Sequence, residues 1–351
     1  MSVIIAIFLL AAAFYLMTVV TEEFFVPAID KLATKLNLSN DAAGATLLAL
    51  GSSAPEFFTA LIAILGISGS GHSDLGAGTI VGSAIFNVLV IIGASAMFKA
   101  VKLRWQPVIR DQVFYVITII LLLLAFRDGK IYLWESIVFV VTYVIYVITV
   151  VNWRKFFPYD EPEDIVTTTD KEKKGINKIA YQAFNIFLPN PDEKPKLIAV
   201  TFIASILVIA GLSWVLVSQV VVIAETLNIN ATFLALTVLA AGTSLPDLIG
   251  SIVVAKKGRG DMAVSNAIGS NIFDILFCLG FPWLLVLSSG KEYVEVGTDN
   301  LTASVILLFA TVVSLTFMLI IRNWKIGHKS GLLLIGLYVC YVVYTIFTVV
   351  L

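Results

Sequence analysis

Long apolar stretches, separated by short polar and charged connections, run along the whole chain. A helix needs about 20 apolar residues to cross a hydrocarbon core of ~30 Å, so the pattern predicts membrane-spanning helices. The fourth stretch is short unless its helix begins before Asp111. We predict ten spans, at residues 2–20, 42–66, 76–98, 112–126, 131–151, 197–225, 232–255, 262–288, 302–321 and 331–351.

The composition agrees with this pattern. Of the 351 residues, 59% are hydrophobic and only 13% are charged, whereas soluble domains are about 45–50% apolar and about 25% charged. The predicted fold class is therefore an all-α membrane protein with the lipid bilayer as its surroundings. The net charge of -1 gives no indication of nucleic acid as a partner. Nothing in the sequence indicates an obligate protein partner, a prosthetic group or another cofactor.

Lysine and arginine are distributed unevenly among the connections. The odd-numbered connections hold 20 of the 23 basic residues, and basic residues are concentrated in cytoplasmic loops. We therefore predict a multi-pass protein of the cell membrane with both termini on the extracellular or periplasmic side. The longest connection, residues 152–196, is then a cytoplasmic loop, and it is too short for a sizeable folded domain with its own core.

Two segments of the first half of the chain recur in the second half. "TLLALGSSAPEFFTA" (46–60) matches "TVLAAGTSLPDLIGS" (237–251) at six of 15 positions, with an offset of 191. "DLGAGTIVGSAIFNVLVIIG" (74–93) matches "DMAVSNAIGSNIFDILFCLG" (261–280) at seven of 20, with an offset of 187. These matches predict two five-helix repeats, residues 1–151 and 197–351. Because five is odd, the repeats are inverted in the membrane, as in secondary transporters that bind substrate at the midplane.

Oxygen-bearing side chains recur at a spacing of four residues in the repeated segments. Residues four apart lie on the same face of a helix, so each segment can present a pair of oxygen ligands inward. Carboxylate, amide and hydroxyl oxygens are hard ligands that suit Ca²⁺ and Na⁺ better than soft metals. The pairs are Ser52 and Glu56, Ser83 and Asn87, Thr243 and Asp247, and Ser270 and Asp274.

Two prolines supply further oxygen atoms to the same segments. Pro55 and Pro246 have no N–H, so the carbonyl groups of Gly51 and Gly242, four residues earlier, lose their helical donors. A carbonyl without a partner is costly inside a membrane. A bound cation is one such partner, so Gly51 and Gly242 join the predicted ligands.

Three acids lie within the predicted spans of these segments, namely Glu56, Asp247 and Asp274. A charge at the midplane costs at least ~2.5–3.5 kcal/mol on insertion scales and usually marks a functional site. No lysine or arginine lies in these spans, so cations or protons must neutralise the acids. Ca²⁺ with one monovalent cation, or three Na⁺, would balance three ionised acids.

The repeated segments resemble a known family. "DAAGATLLALGSSAPEFFTALI", "GTIVGSAIFNVLVIIG" and "LAAGTSLPDLIGSIVVAKKGRGDMAVSNAIGSNIFDILFCLGFPW" are similar to the two α-repeats of the calcium/cation antiporter superfamily. Within it, they look most like the potassium-dependent sodium/calcium exchangers. The resemblance covers predicted helices 1–3 and 6–8, whereas helices 4, 5, 9 and 10 match only in hydropathy. It implies an antiporter that exports Ca²⁺ against Na⁺ entry.

The resemblance also implies roles for individual residues. Glu56 and Asp247 match the ion-binding acids of the two repeats. Asp274 matches an acid of the potassium-dependent branch, but some prokaryotic members keep that acid without needing K⁺. Cotransport of K⁺ therefore stays open. The family's other oxygen ligands are matched by Ser52, Ser53, Ser83, Asn87, Thr243, Ser244 and Ser270.

Three other functions compete with Na⁺/Ca²⁺ exchange. An H⁺/Ca²⁺ exchanger is the nearest alternative, because carboxylates can carry H⁺ in place of Na⁺. Asp247 and Asp274 could form the acid pair of an intramembrane enzyme, but no metalloprotease motif or Ser/His dyad accompanies them. A passive channel is disfavoured because acids in inverted repeats suit alternating access better than a filter ring. We therefore predict a transporter and not an enzyme.

Overall fold

The computed structural model describes residues 3–25, 27–28, 31, 49–66, 73–98, 101–157, 176–189, 197–256, 260–297 and 299–349. Within these ranges, eight helices are long and apolar enough to cross a membrane. Two shorter apolar helices, Ala54–Leu65 and Ala231–Thr243, lie in the predicted second and seventh spans. The chain is therefore an all-α membrane protein, and the count of ten spans stays a prediction.

The first half of the described chain contains helices that change type at defined places. The first helix is apolar on every side, as expected of a helix surrounded by lipid and protein. The elements are α1 (Val3–Val20), π1 (Thr21–Phe25), α2 (Ala49–Ser52), α3 (Ala54–Leu65), α4 (Ser73–Phe86), π2 (Asn87–Ile91), α5 (Ile92–Phe98), α6 (Trp105–Ala125) and α7 (Leu133–Phe156).

The second half has corresponding changes of helix type. A short helix, α8 (Ile176–Asn185), precedes it. The elements that follow are α9 (Ile198–Leu227), α10 (Ala231–Leu234), π3 (Ala235–Leu239), α11 (Ala240–Thr243), α12 (Leu245–Lys256), α13 (Gly260–Phe273), π4 (Asp274–Leu279), α14 (Gly280–Ser288), α15 (Asp299–Ile321) and α16 (His328–Val349).

Two small antiparallel sheets join connections from the two halves. Strand β1 (Val101–Lys102) pairs with β4 (Lys325–Ile326), and β2 (Lys130–Ile131) pairs with β3 (Val294–Glu295). Each strand has only two residues, so the sequence pattern gave no reason to expect them. The pairing fixes the connections of one half against those of the other.

The apolar side chains form two hydrophobic cores. In one core α1 packs along α9, with Phe24 and Leu216 fully buried. The larger core surrounds α4 and α13 and contains the fully buried Tyr115 and Trp283. The polar cluster described below lies on helices that border both cores.

Part of the predicted loop 152–196 is described, namely residues 152–157 and 176–189. Within it, Tyr181 of α8 stacks on Phe24 of π1 with ring centroids 5.3 Å apart. This part of the loop therefore packs against the end of α1. The predicted boundaries of the two repeats stay a prediction.

Candidate cation-binding site

The two proline-containing segments are interrupted at equivalent positions. Ser53 separates α2 from α3, with φ -88° and ψ 11°. Ser244 separates α11 from α12, with φ -83° and ψ 5°. Pro55 and Pro246 follow two residues later and donate no N–H to the preceding turn. The sequence therefore explains why both helices break where their hydroxyl groups lie.

Glu56 is fully buried and accepts a hydrogen bond from a residue of the other half. Its Oε1 lies 2.8 Å from Ser244 Oγ, which in turn lies 3.0 Å from Ser83 Oγ. A hydroxyl donates only one hydrogen, so Ser244 donates to the carboxylate and accepts from Ser83. Thr243 faces the same carboxylate. Oε2 of Glu56 has no hydrogen-bond partner among the described residues.

Asp247 occupies the equivalent position in the second half and is 2% exposed. Ser52 of the first half faces its carboxylate, as do Asn266 and Ser270 of α13. Within the described part of the chain, neither carboxylate oxygen accepts a hydrogen bond of good geometry. Ser52 and Thr243 thus each lie beside the acid of the other half, while their hydroxyls donate to carbonyl oxygens of their own segments.

The turns π2 and π4 begin at the equivalent residues Asn87 and Asp274. Such turns are rare and frequently mark functional sites. Asp274 is fully buried, and its Oδ1 lies 3.7 Å from Cys278 Sγ. Ser53 faces the same carboxylate. Oδ2 of Asp274 has no hydrogen-bond partner in the described ranges.

Asn87 is held by a buried network that sequence reasoning missed. Its Nδ2 donates to Asn271 Oδ1 at 2.9 Å. Asn271 in turn donates to the Tyr115 hydroxyl at 2.8 Å and to the Ala84 carbonyl at 3.1 Å. The amide nitrogen of Asn87 is thereby occupied, while its buried Oδ1 has no partner among the residues described. Asn87 can therefore offer that oxygen as a ligand.

No buried base among the residues whose burial is described balances the charge of the three acids. Glu56 and Asp247 repel each other, and both repel Asp274. Arg110 is the one basic side chain that is buried among the residues whose burial is described. Its Nε lies 2.7 Å from Asp111 Oδ1. Buried charges need a partner or a bound ion. The cluster is thus suited to cations.

The acids are spread out over the cluster. No three His, Cys, Asp or Glu side chains in the described ranges converge on a single metal position. Hydroxyl and amide oxygens lie between the acids instead. Small hard cations that accept neutral oxygen ligands suit this arrangement. Neighbouring cation positions fit it better than one position that all three acids share.

The predicted ligands are buried in this part of the protein, but they do not all contact an acid. Asn87 contacts Asn271, and Ser83 contacts Ser244. Asn271 corresponds to Ala84 in the repeat, so a comparison based on matching residues passes over it. The buried predicted residues are Gly51, Ser52, Ser53, Glu56, Ser83, Asn87, Gly242, Thr243, Ser244, Asp247, Ser270 and Asp274.

A glycine brings two helices of the cluster unusually close together. A Cβ atom at Gly82 of α4 would lie 2.2 Å from the Leu236 carbonyl oxygen in π3. Small residues permit such close backbone contact between membrane helices. Gly82 precedes Ser83, so this crossing positions the hydroxyl that contacts Ser244.

Comparison with known families gives a match over most of the chain. The model of the family described as "Sodium/calcium exchanger protein" matches residues 6–152 and 197–347. Sodium/potassium/calcium exchanger 4 of Mus musculus is 28% identical, over 95% of this chain and 79% of the relative. Sodium/potassium/calcium exchanger 2 of Gallus gallus is also 28% identical, over 95% of this chain and 75% of the relative.

Solved structures show the same fold. A structure of the sodium-calcium exchanger NCX_Mj soaked with Na⁺ and Sr²⁺ superposes with a TM-score of 0.61. The superposition covers 97% of this chain and 99% of that chain at 22% sequence identity. The overall helix arrangement is therefore shared with that protein.

Proposed function

Because the chain belongs to the sodium/calcium exchanger protein family, we propose that it exchanges Ca²⁺ for Na⁺ across a membrane, with K⁺ carried together with Ca²⁺. The observation that carries the proposal is the buried cluster of oxygen atoms around Glu56, Asp247 and Asp274, which has no basic partner in the described ranges. Two of the relatives are named as sodium/potassium/calcium exchangers, which supports including K⁺.

The cation ligands in this proposal are the residues predicted from the sequence. Glu56, Asp247 and Asp274 supply the negative charge. Neutral oxygen atoms complete the coordination, since Ca²⁺ takes about six to eight oxygen ligands. They come from the side chains of Ser52, Ser53, Ser83, Asn87, Thr243, Ser244 and Ser270 and from the carbonyl groups of Gly51 and Gly242.

The proposed mechanism is alternating access between two inverted repeats. Two features support it, the reciprocal facing of hydroxyls and acids across the halves and the equivalent interruptions at Ser53 and Ser244. A site built from both repeats opens to one side or the other as the repeats move against each other. Na⁺ and Ca²⁺ compete for the same oxygen cluster, so Na⁺ that enters it displaces Ca²⁺.

Transport by the purified full chain in liposomes tests this proposal. Vesicles loaded with Na⁺ and diluted into Na⁺-free medium should take up Ca²⁺, and external K⁺ should increase the uptake. A pH gradient of equal size, without a Na⁺ gradient, should drive little uptake. Uptake driven by the pH gradient alone would favour an H⁺/Ca²⁺ exchanger, and flux without any counter-ion gradient would favour a channel.

A further inference from the structure

Phe14 of α1 lies directly against the interrupted helix of the second half. A Cβ atom built on Gly242 would lie 2.1, 2.2 and 2.6 Å from three ring atoms of Phe14. Real Cβ atoms do not approach other atoms so closely, so only glycine permits this ring position. The position of the Phe14 ring and the absence of a side chain at Gly242 therefore depend on each other.

The turn that Phe14 covers is the one that carries the site hydroxyls. Gly242 is followed by Thr243, which faces Glu56, and by Ser244, which donates to Glu56 Oε1 at 2.8 Å. The missing N–H of Pro246 leaves the Gly242 carbonyl without its helical donor. Water would readily solvate a turn of this kind if it could reach it. The Phe14 ring, which is itself partly buried, packs against this turn at Gly242 and excludes water from that side of it.

We propose that the Phe14 ring is a hydrophobic cover of the cation site, and that it must leave Gly242 before a hydrated cation reaches the turn at Thr243. This inference rests on the proposed exchange function. The ring is carried by α1, whose main partner in the fold is α9. Movement of α1 relative to α11 would therefore uncover the turn without disrupting the larger core around α4 and α13.

Chemical labelling tests the cover without relying on transport. Cys340 is exposed and Cys278 is buried, so a Cys340→Ser background suits labelling of an introduced Thr243→Cys. In detergent, a small charged methanethiosulfonate reagent reaches both faces of the protein. Phe14→Ala should raise the labelling rate about tenfold or more, because opening of a local cover controls solvent access.

Phe8→Ala is the matched control, because Phe8 lies on the same helix but is 71% exposed. It should leave the labelling rate of Thr243→Cys unchanged. Equal labelling rates in Phe14→Ala and Phe8→Ala would overturn the proposal. This comparison remains decisive even if the parent protein shows no Na⁺-driven Ca²⁺ uptake, a result that would refute the proposed function instead.

Transport supplies the second test, through a pair of compensating substitutions. Gly242→Ala should lower exchange about tenfold or more, because an added methyl group in a packed site forces its neighbours to shift. Adding Phe14→Ala to that variant makes room for the methyl group and should restore exchange to the level of Phe14→Ala alone. Full activity of Gly242→Ala, or no recovery in the double variant, would contradict the proposal.

Discussion

Glu56→Gln would remove one negative charge from the buried cluster and change the shape of the side chain very little. Oε1 of Glu56 accepts from Ser244 at 2.8 Å, and the amide oxygen of glutamine can accept the same bond. The variant therefore separates the charge of Glu56 from its hydrogen bonding. We expect it to fold and to lose Ca²⁺ transport.

Coulomb's law gives the size of the effect. Two unit charges ~4 Å apart interact by about 4 kcal/mol at an effective dielectric constant of ~20. Loss of the charge would then weaken the attraction for Na⁺ by about 4 kcal/mol and for Ca²⁺ by about 8 kcal/mol, before solvation is considered. The difference of about 4 kcal/mol corresponds to about three orders of magnitude in affinity. Ca²⁺ binding should therefore fall much further than Na⁺ binding.

In the absence of cations, Glu56→Gln should stabilise the folded protein, although it weakens Ca²⁺ binding. Glu56, Asp247 and Asp274 repel one another in the folded protein, and a buried charge without a partner is destabilising. Glu56→Gln should therefore raise the melting temperature in cation-free buffer. Added Ca²⁺ should stabilise the parent protein, because a ligand that binds the folded state raises its stability, but should barely stabilise the variant.

Ca²⁺ uptake in liposomes and thermal unfolding with and without Ca²⁺ measure these two effects. Glu292→Gln is the control, because Glu292 is exposed and lies outside the cluster. Ca²⁺ uptake within about tenfold of the parent, a loss of about 1.4 kcal/mol or less, would refute the electrostatic argument. A lower melting temperature in cation-free buffer would refute the argument about repulsion.

Three further substitutions test other parts of the cluster. Asp274→Asn should weaken the K⁺ dependence of transport and leave Na⁺-driven Ca²⁺ uptake. An unchanged K⁺ response in the variant, or a parent protein that does not respond to K⁺, would contradict this role of Asp274. Asp247→Ala should abolish Ca²⁺ uptake, because it removes an acid that both halves surround; measurable residual exchange would argue against its role. Gly82→Ala should destabilise the protein by about 1–3 kcal/mol in thermal unfolding, since its Cβ would lie 2.2 Å from the Leu236 carbonyl. Gly336→Ala, with nothing within 4 Å of its Cβ, should show no such loss.

The apolar pattern predicted most of the fold because span length depends on bilayer thickness and little else. Among the described residues, it was least accurate at 49–66 and 232–255, where it predicted continuous helices. Pro55 and Pro246 explain the difference, since each weakens the turn before it and the helix breaks at Ser53 or Ser244. The sheets β1–β4 and β2–β3 had no sequence signal, because two-residue strands have no periodicity.

The sequence named most of the buried oxygen-bearing residues of the cluster, although not Asn271, and their role as cation ligands stays a prediction. Their pairing could not be predicted. Residue type determines which atoms can bind a hard cation, and the repeat identified those types. A spacing of four residues describes one helix at a time, so it paired Thr243 with Asp247. In the structure Thr243 faces Glu56 instead, while Ser52 faces Asp247. These pairings depend on how the two halves pack, which no single segment of sequence encodes.

The two halves differ at positions where the repeated segments carry different residues. Asn87 is held by Asn271, whose counterpart in the first half is Ala84, so this amide network exists on one side only. At the equivalent position Asp274 has an ionisable carboxyl group, and Cys278 Sγ lies 3.7 Å from its Oδ1. A fixed neutral oxygen at one position and a charged carboxylate at the other cannot bind the same cation equally well. Under the proposed function, the two positions should therefore differ in cation preference.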